Sequence, residues 1–164
     1  MRGILLSWLL EVHQKYRLMN ETFFLTVRII DTFLKQEEIN RNRLQLVGIA
    51  AMWIAAKYQE TYQVPKMSNL ERLCDHAYKA EDILYMEGRI LEVTGFSLLL
   101  APSPLCHLDL LQKHAHLPAK DYSLACYLLE ASAFDLGLQR FSGSSLAFAV
   151  IYFLRKLRGY SSVG

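Results

Sequence analysis

The chain has 164 residues, 52% of them hydrophobic and 21% charged, with a formal net charge of +2. That length can bury a real core, as one domain or as two small ones. The near-cancelling charge and high apolar content exclude a disordered acidic tail and a strongly basic nucleic-acid arm.

Helical periodicity runs through the chain and no stretch alternates as a strand, so the expected class is all-α. The opening run "MRGILLSWLLEVHQKYRL" lacks a small-residue cleavage site and passes straight into an amphipathic pattern. It reads as a first helix over about residues 1–17 rather than a signal peptide. Leu6, Leu9 and Leu10 form one row that faces a core. Met1, Ile4, Leu5, Trp8 and Glu11 form a second row at spacings of three and four. Two readings fit that surplus: both rows are buried, or the second is an exposed patch for a peptide, with Glu11 at its rim.

Asn20-Glu21-Thr22 matches a glycosylation sequon and reads as the N-cap of a second helix, about 21–36. Phe23, Val27, Ile30 and Leu34 would line its inner row. Next comes "LQLVGIAAMWIAAKYQE", whose first thirteen residues hold one polar side chain, Gln45. A spanning helix needs roughly 20 apolar residues, so this is no membrane anchor. Gly48, Ala50, Ala51, Ala55 and Ala56 let neighbouring backbones approach, which predicts a buried central helix over about 43–60 with Lys57 surfacing at its end.

Pro65 breaks the chain, and Ser68 with Glu71 reads as the capping box of a short fourth helix. A fifth is expected over about 80–94, stopping at Gly95. "LLLAPSPLCHL" reads as a linker whose Ser103-Pro104 pair opens a new helix. Helices are then expected at about 104–115, 119–136 and 145–158. The pattern predicts two all-α units, residues 1–100 and 101–164, the second incomplete.

Several charges need partners. Glu87 stands among Ile83, Leu84, Ile90 and Leu91, and an unpaired carboxylate in an apolar lane is costly. Lys57 follows Trp53 and Ile54, with Glu60 as a local partner; Asp31 has Arg28 and Lys35 nearby, and Arg2 poses the same problem. Cys74, Cys106 and Cys126 are an odd set without CxxC spacing and read as small buried hydrophobes in a reducing compartment. His114 and His116 are two apart and make a poor metal pair. No GxSxG, HExxH or P-loop is present. The expectation is no catalytic residue, no metal and no cofactor. Arg140, Arg155, Lys156 and Arg158 make a weak basic cluster that suits a solvated helix end.

These segments carry a resemblance. "MRGILLSWLLEVHQKYRLMNETFFLTVRIIDTFL", "RLQLVGIAAMWIAAKYQETY" and "LYMEGRILEVTGFSL" together resemble the cyclin box of the A/B (mitotic) cyclins across residues 1–100. Residues 101–158 resemble the second cyclin fold in helix layout and in "APSP". The resemblance implies a cyclin fold, a five-helix bundle around a central buried helix, followed by an incomplete second unit. Arg2, Asp31, Leu46, Lys57 and Glu87 match five signature positions. It implies that Arg2 and Asp31 form a buried ion pair joining the first two helices. Lys57 and Glu87 match residues that grip backbone groups of a kinase segment, which implies partners on another chain. Tyr58 and Phe96 match neighbouring aromatic contacts and Leu91 an aliphatic one. A docking patch for Arg-x-Leu peptides maps to Met1, Ile4, Leu5, Trp8, Arg41, Leu44 and Gln45, with Glu11 facing the peptide's basic residue. Ser7 and Gln59 depart from the family's usual acids, and "ETYQVPKMSN" is one residue longer than its usual loop.

The function so implied is a regulatory subunit that binds and activates a cyclin-dependent Ser/Thr kinase in G2/M-like cell-cycle control, in the nucleus and/or cytoplasm. No membrane or nucleic-acid partner is expected. Two rivals stand beside it. One is a shortened cyclin that binds kinase without activating it; its uncovered second unit would expose apolar surface. The other is a cyclin-fold adaptor like transcription factor IIB, which would touch DNA in a salt-dependent way.

Overall fold

The structure is a computed structural model that describes residues 1–62, 64–96 and 102–159. Part of the expected linker, residues 97–101, and the tail from 160 onward lie outside the described residues. Every regular element among those described is helical. The chain divides into two compact units, Met1–Leu100 and Ala101–Gly164.

The first unit contains α1 (Arg2–Tyr16), α2 (Asn20–Leu34), α3 (Leu44–Gln59), α4 (Met67–Leu73) and α5 (Ala80–Val93). A single 3-10 turn, Arg41–Arg43, leads into α3. α2, α5 and α1 all pack on α3, which makes α3 the axis of the bundle. Its side chains explain that position. Leu46, Val47, Ile49, Ala50, Ala51, Met52, Ile54, Ala55 and Ala56 are all buried. At Gly48, an added Cβ would lie 2.7 Å from Leu5 Cδ1, so α1 packs over α3 at a point where any side chain would force Leu5 to move.

α1 buries Leu6 and Leu9 as expected, leaves Leu10 half-buried, and adds Val12 and His13 to the core. The second row, for which both readings stood open, is split: Met1 and Ile4 are exposed, whereas Leu5 is only 8% exposed because it fills the space over Gly48. On α2, Phe23, Val27 and Ile30 are buried, while Leu34 is half-buried at the helix end.

Two expected caps do not form: Glu60 caps α2 in place of Asn20, and Glu71 caps α5 rather than α4. α2 starts at Asn20 itself rather than after it, and Met19 occupies the N-cap. The Met19 N–H donates to Glu60 Oε1 at 2.7 Å, and the Thr22 hydroxyl donates to the same oxygen at 2.6 Å. A carboxylate at the positive end of the helix dipole does the work expected of Asn20. Likewise Lys66, not Ser68, precedes α4, and Ser68 lies within the helix. Glu71 instead accepts the Ala80 N–H at 2.7 Å and caps the start of α5. α5 ends with Gly95 at φ 61, the left-handed geometry that glycine takes without strain, and Phe96 follows at φ 57.

The second unit contains α6 (Pro104–Ala115), α7 (Ala119–Ser132) and α8 (Gly143–Arg158). Ser103 Oγ accepts the Cys106 N–H at 3.2 Å, with Pro104 at the first helical position. Ser142 caps α8 by accepting the Ser145 N–H at 3.1 Å. α7 stops four residues before its expected end. The Ser132 hydroxyl donates back to Leu129 O at 2.6 Å, and a turn follows at once. Buried Asp121 accepts from Arg158 Nη2 at 2.6 Å and Nε at 3.1 Å, tying the start of α7 to the end of α8. Leu105, Leu108, Ala125, Leu129, Ala147, Ile151 and Leu154 form the core, while α8 exposes Phe148, Tyr152, Phe153 and Leu157.

All three cysteines are free. Cys74 is buried, and burial pushes its thiol up to about 11. Cys106 and Cys126 are half-buried, so they fit the expected buried hydrophobes less well.

His13 makes the first unit acid-sensitive. It is buried against Phe23, with ring centroids 5.9 Å apart. Burial lowers its pKa, against the opposing pulls of the Asn20 side chain and the Glu60 carboxylate. The fold therefore favours the neutral imidazole, while the unfolded chain takes up a proton near pH 6.5. Its stabilisation is complete above that value and is lost as the pH falls below it. Urea midpoints at about pH 7.5 and 5.5 should fall more for the wild type than for His13→Gln. Equal falls would remove His13 as the cause.

Candidate functional site

Two constellations emerge on the first unit. The first is built by α3 and α5. Lys57 lies in the last turn of α3 and Glu87 in the middle of α5, and the packing of these helices brings the two side chains together. Lys57 Nζ forms a salt bridge with Glu87 Oε1. The same Nζ stands 3.6 Å from the centroid of the Trp53 ring, a cation–π contact one turn back along α3. The lysine side chain is 38% exposed and the glutamate 14%. Glu60, the local alternative for Lys57, caps α2 instead.

This pairing replaces the local Lys57–Glu60 pair that sequence spacing offered. The physical reason is the cost of a lone carboxylate among apolar neighbours, which the nearest cation on the adjacent helix removes. The pair is not saturated by its own contact. An ammonium has three donors and a carboxylate two acceptor oxygens, so together they can still offer a donor and an acceptor to a neighbouring backbone. Leu91 follows Glu87 by one turn and is half-buried. Tyr58, beside Lys57, and Phe96, just past α5, are exposed.

The second constellation is a groove of about 200 Å³. Met1, which precedes α1, and Ile4, Leu5 and Trp8 of α1 form one wall, and Arg41, Leu44 and Gln45 form the other. Ile4 is 71% exposed, an unusual position for a large aliphatic side chain. Leu5 serves both sides, filling the space over Gly48 and lining the groove. Glu11 is exposed one turn beyond Trp8, outside the residues that line the groove.

The groove walls are held by contacts of opposite kinds. Arg2 Nε donates to Asp31 Oδ1 at 2.7 Å and Nη2 to Oδ2 at 2.8 Å, a bidentate clamp from α1 to α2. On the other wall, the Tyr78 hydroxyl donates to Asn42 O at 2.7 Å and pins the turn that carries Arg41. Arg89 of α5 bridges to Glu37, in the segment before that turn, and to Glu92. The sequence reading did not reach Trp53, Tyr78 or Arg89 as positioning residues. Each acts across a fold-dependent contact, or across one helical turn toward a charge assigned elsewhere.

Among the described residues, no group of three His, Cys, Asp or Glu side chains is placed to hold a metal ion. None of the described helices is long and apolar enough to cross a membrane.

A known family matches this arrangement: residues 1–99 fit the family described as "Cyclin, N-terminal domain". The chain belongs to the cyclin family. Several proteins similar to it are named as G2/mitotic-specific cyclins. It is 43% identical over 152 residues to Cyclin-B2-2 of Oryza sativa subsp. indica, covering 93% of this cyclin and 36% of the relative. It is 42% identical over 149 residues to G2/mitotic-specific cyclin-B1 of Xenopus laevis, covering 91% and 37%. The cdc13 cyclin of Schizosaccharomyces pombe is 40% identical over 159 residues, covering 97% and 33%. This cyclin thus spans about a third of the length of the relatives it matches. Among solved structures, a viral cyclin from herpesvirus saimiri superposes with a TM-score of 0.83 at 20% identity, covering 98% of this chain and 71% of that one. The fold is therefore the cyclin fold.

Proposed function

We propose that this cyclin is a regulatory subunit that binds and activates a cyclin-dependent Ser/Thr kinase in G2/M-like cell-cycle control, in the nucleus and/or cytoplasm. The observation that carries the reading is the Lys57–Glu87 pair, set on a rigid bundle beside Tyr58, Leu91 and Phe96. A surface of this kind can hold a kinase segment through its backbone, with the ammonium donating to a carbonyl and the carboxylate accepting an N–H. Activation then follows as a population shift. The cyclin binds the kinase conformer whose C helix is turned inward, where the kinase's own Lys–Glu pair orients the ATP phosphates. The cyclin supplies no catalytic residue of its own.

The groove is the second part of the proposal. Its apolar walls suit the leucine of an Arg-x-Leu peptide, and Glu11 suits the peptide's arginine. Met1→Ala combined with Trp8→Ala should leave kinase binding intact. Phosphorylation of an Arg-x-Leu substrate should fall by roughly ten- to thirtyfold in kcat/KM, as for loss of an aromatic anchor. A substrate without the motif should be unaffected. An equal loss on both substrates would make the groove part of the scaffold instead.

A second reading, kinase binding without activation, draws on the apolar face that α8 leaves exposed at Phe148, Tyr152, Phe153 and Leu157. Mixing the purified chain with an inactive monomeric cyclin-dependent kinase separates the two. Complex formation on gel filtration together with histone-peptide phosphorylation supports the activator. A complex without phosphorylation supports the second reading. Salt-dependent DNA binding in place of both would favour an adaptor of the transcription-factor IIB kind.

A further inference from the structure

The edge of the groove carries a charge that the Arg-x-Leu reading leaves unused. Of the side chains lining the groove, Arg41 is the charged one. It is exposed, and among the described residues no carboxylate pairs with it. Arg43 follows it in the same turn, is also exposed, and occupies the N-cap of α3. The first turn of α3 holds no acidic residue to offset the positive end of that helix dipole. This wall of the groove is electropositive. It is also fixed in place, because the Tyr78 hydroxyl holds the carbonyl of Asn42 between the two arginines.

We propose that the groove selects docking peptides with an anionic side chain close to the apolar anchor, where Arg41 can reach it. The proposal rests on the reading of the groove as an Arg-x-Leu site and adds a second determinant to it. A guanidinium presents its donors in a planar fork that matches a carboxylate or a phosphate bidentately. An anchor seated between Leu5, Trp8 and Leu44 excludes water beside that fork, which strengthens the charge pair relative to open solvent. The favoured peptide is therefore of mixed charge, with a base for Glu11 and an acid for Arg41.

The test is fluorescence polarisation on the full chain with a labelled Arg-x-Leu peptide whose flanks are alanine. It is compared with versions carrying one Glu, or one phosphoserine, at each flanking position in turn. At one or two positions Glu should tighten binding by roughly two- to fivefold. That gain should shrink at about 0.5 M salt, where screening is short-ranged. In Arg41→Met, which keeps the stem and removes the charge, the ratio of Glu-peptide to Ala-peptide affinity should fall to near one. In Arg41→Glu the ratio should invert. Circular dichroism confirms that both variants are folded. A gain from phosphoserine with none from Glu supports the proposal and identifies phosphorylated peptides as the source of the anion. Equal affinities across the panel, or a ratio unchanged in Arg41→Met, overturn the anionic preference while leaving Arg-x-Leu docking in place. Failure of the folded chain to bind even the alanine-flanked peptide overturns the docking reading and this proposal with it.

Discussion

Lys57→Ala combined with Glu87→Ala is expected to lower kinase affinity by roughly a hundredfold or more, the loss typical of removing two interface anchors. Kinase activation should fall to background at micromolar cyclin. The helical content and melting temperature of the double variant should stay near those of the wild type, because its two changes remove a charge pair together. Either single change behaves differently. Lys57→Ala leaves Glu87, only 14% exposed, without its cation, and should destabilise the chain by about 1–2 kcal/mol. Glu87→Ala leaves Lys57 over the Trp53 ring and partly solvated, so its cost should be smaller. The double variant is thus the clean probe of function, and the singles report on folding. Full activation by the folded double variant would refute the assignment of this pair to the kinase contact.

The helix order of the first unit was legible because its apolar rows have the period of a helix and its breaks fall at strong signals such as Pro65 and Gly95. The central place of α3 was legible from Gly48 and the alanines, since only a helix surrounded by others needs so little side chain on every face. What local pattern missed are contacts made by fold rather than by spacing. Glu60 and Glu71 each looked like a local partner, for Lys57 and for Ser68, yet each reaches the start of another helix. The end of α7 was missed because a serine hydroxyl turning back on its own backbone leaves no mark in the apolar pattern. In the groove, the wall from α1 could be read as a surplus apolar row. Arg41, Leu44 and Gln45 lie over thirty residues further on, and only the family resemblance set them beside it. Leu5 shows the limit of counting rows, because one side chain belongs to both the core and the groove.

Arg2→Ala is expected to be the most destabilising polar substitution in the first unit. The clamp it removes is bidentate and mostly buried, with side-chain exposures of 14% for Arg2 and 18% for Asp31. Its loss strands the Asp31 carboxylate against α1, and breaking such a pair from one side costs about 3 kcal/mol. For a unit of this size that corresponds to a fall in melting temperature of roughly 12–24 °C. Arg2→Met with Asp31→Leu removes both charges and keeps apolar volume, so it should recover most of the loss. The clamp also bears on function, since Arg2 lies between Met1 and Ile4 on the helix that forms one groove wall. In Arg2→Ala, held well below its melting temperature, Arg-x-Leu binding should weaken although no groove side chain has changed, while kinase affinity, which the proposal places on α3 and α5, should hold. A double variant no more stable than Arg2→Ala would show that the geometry of the clamp, rather than the cost of a stranded charge, holds α1 in place.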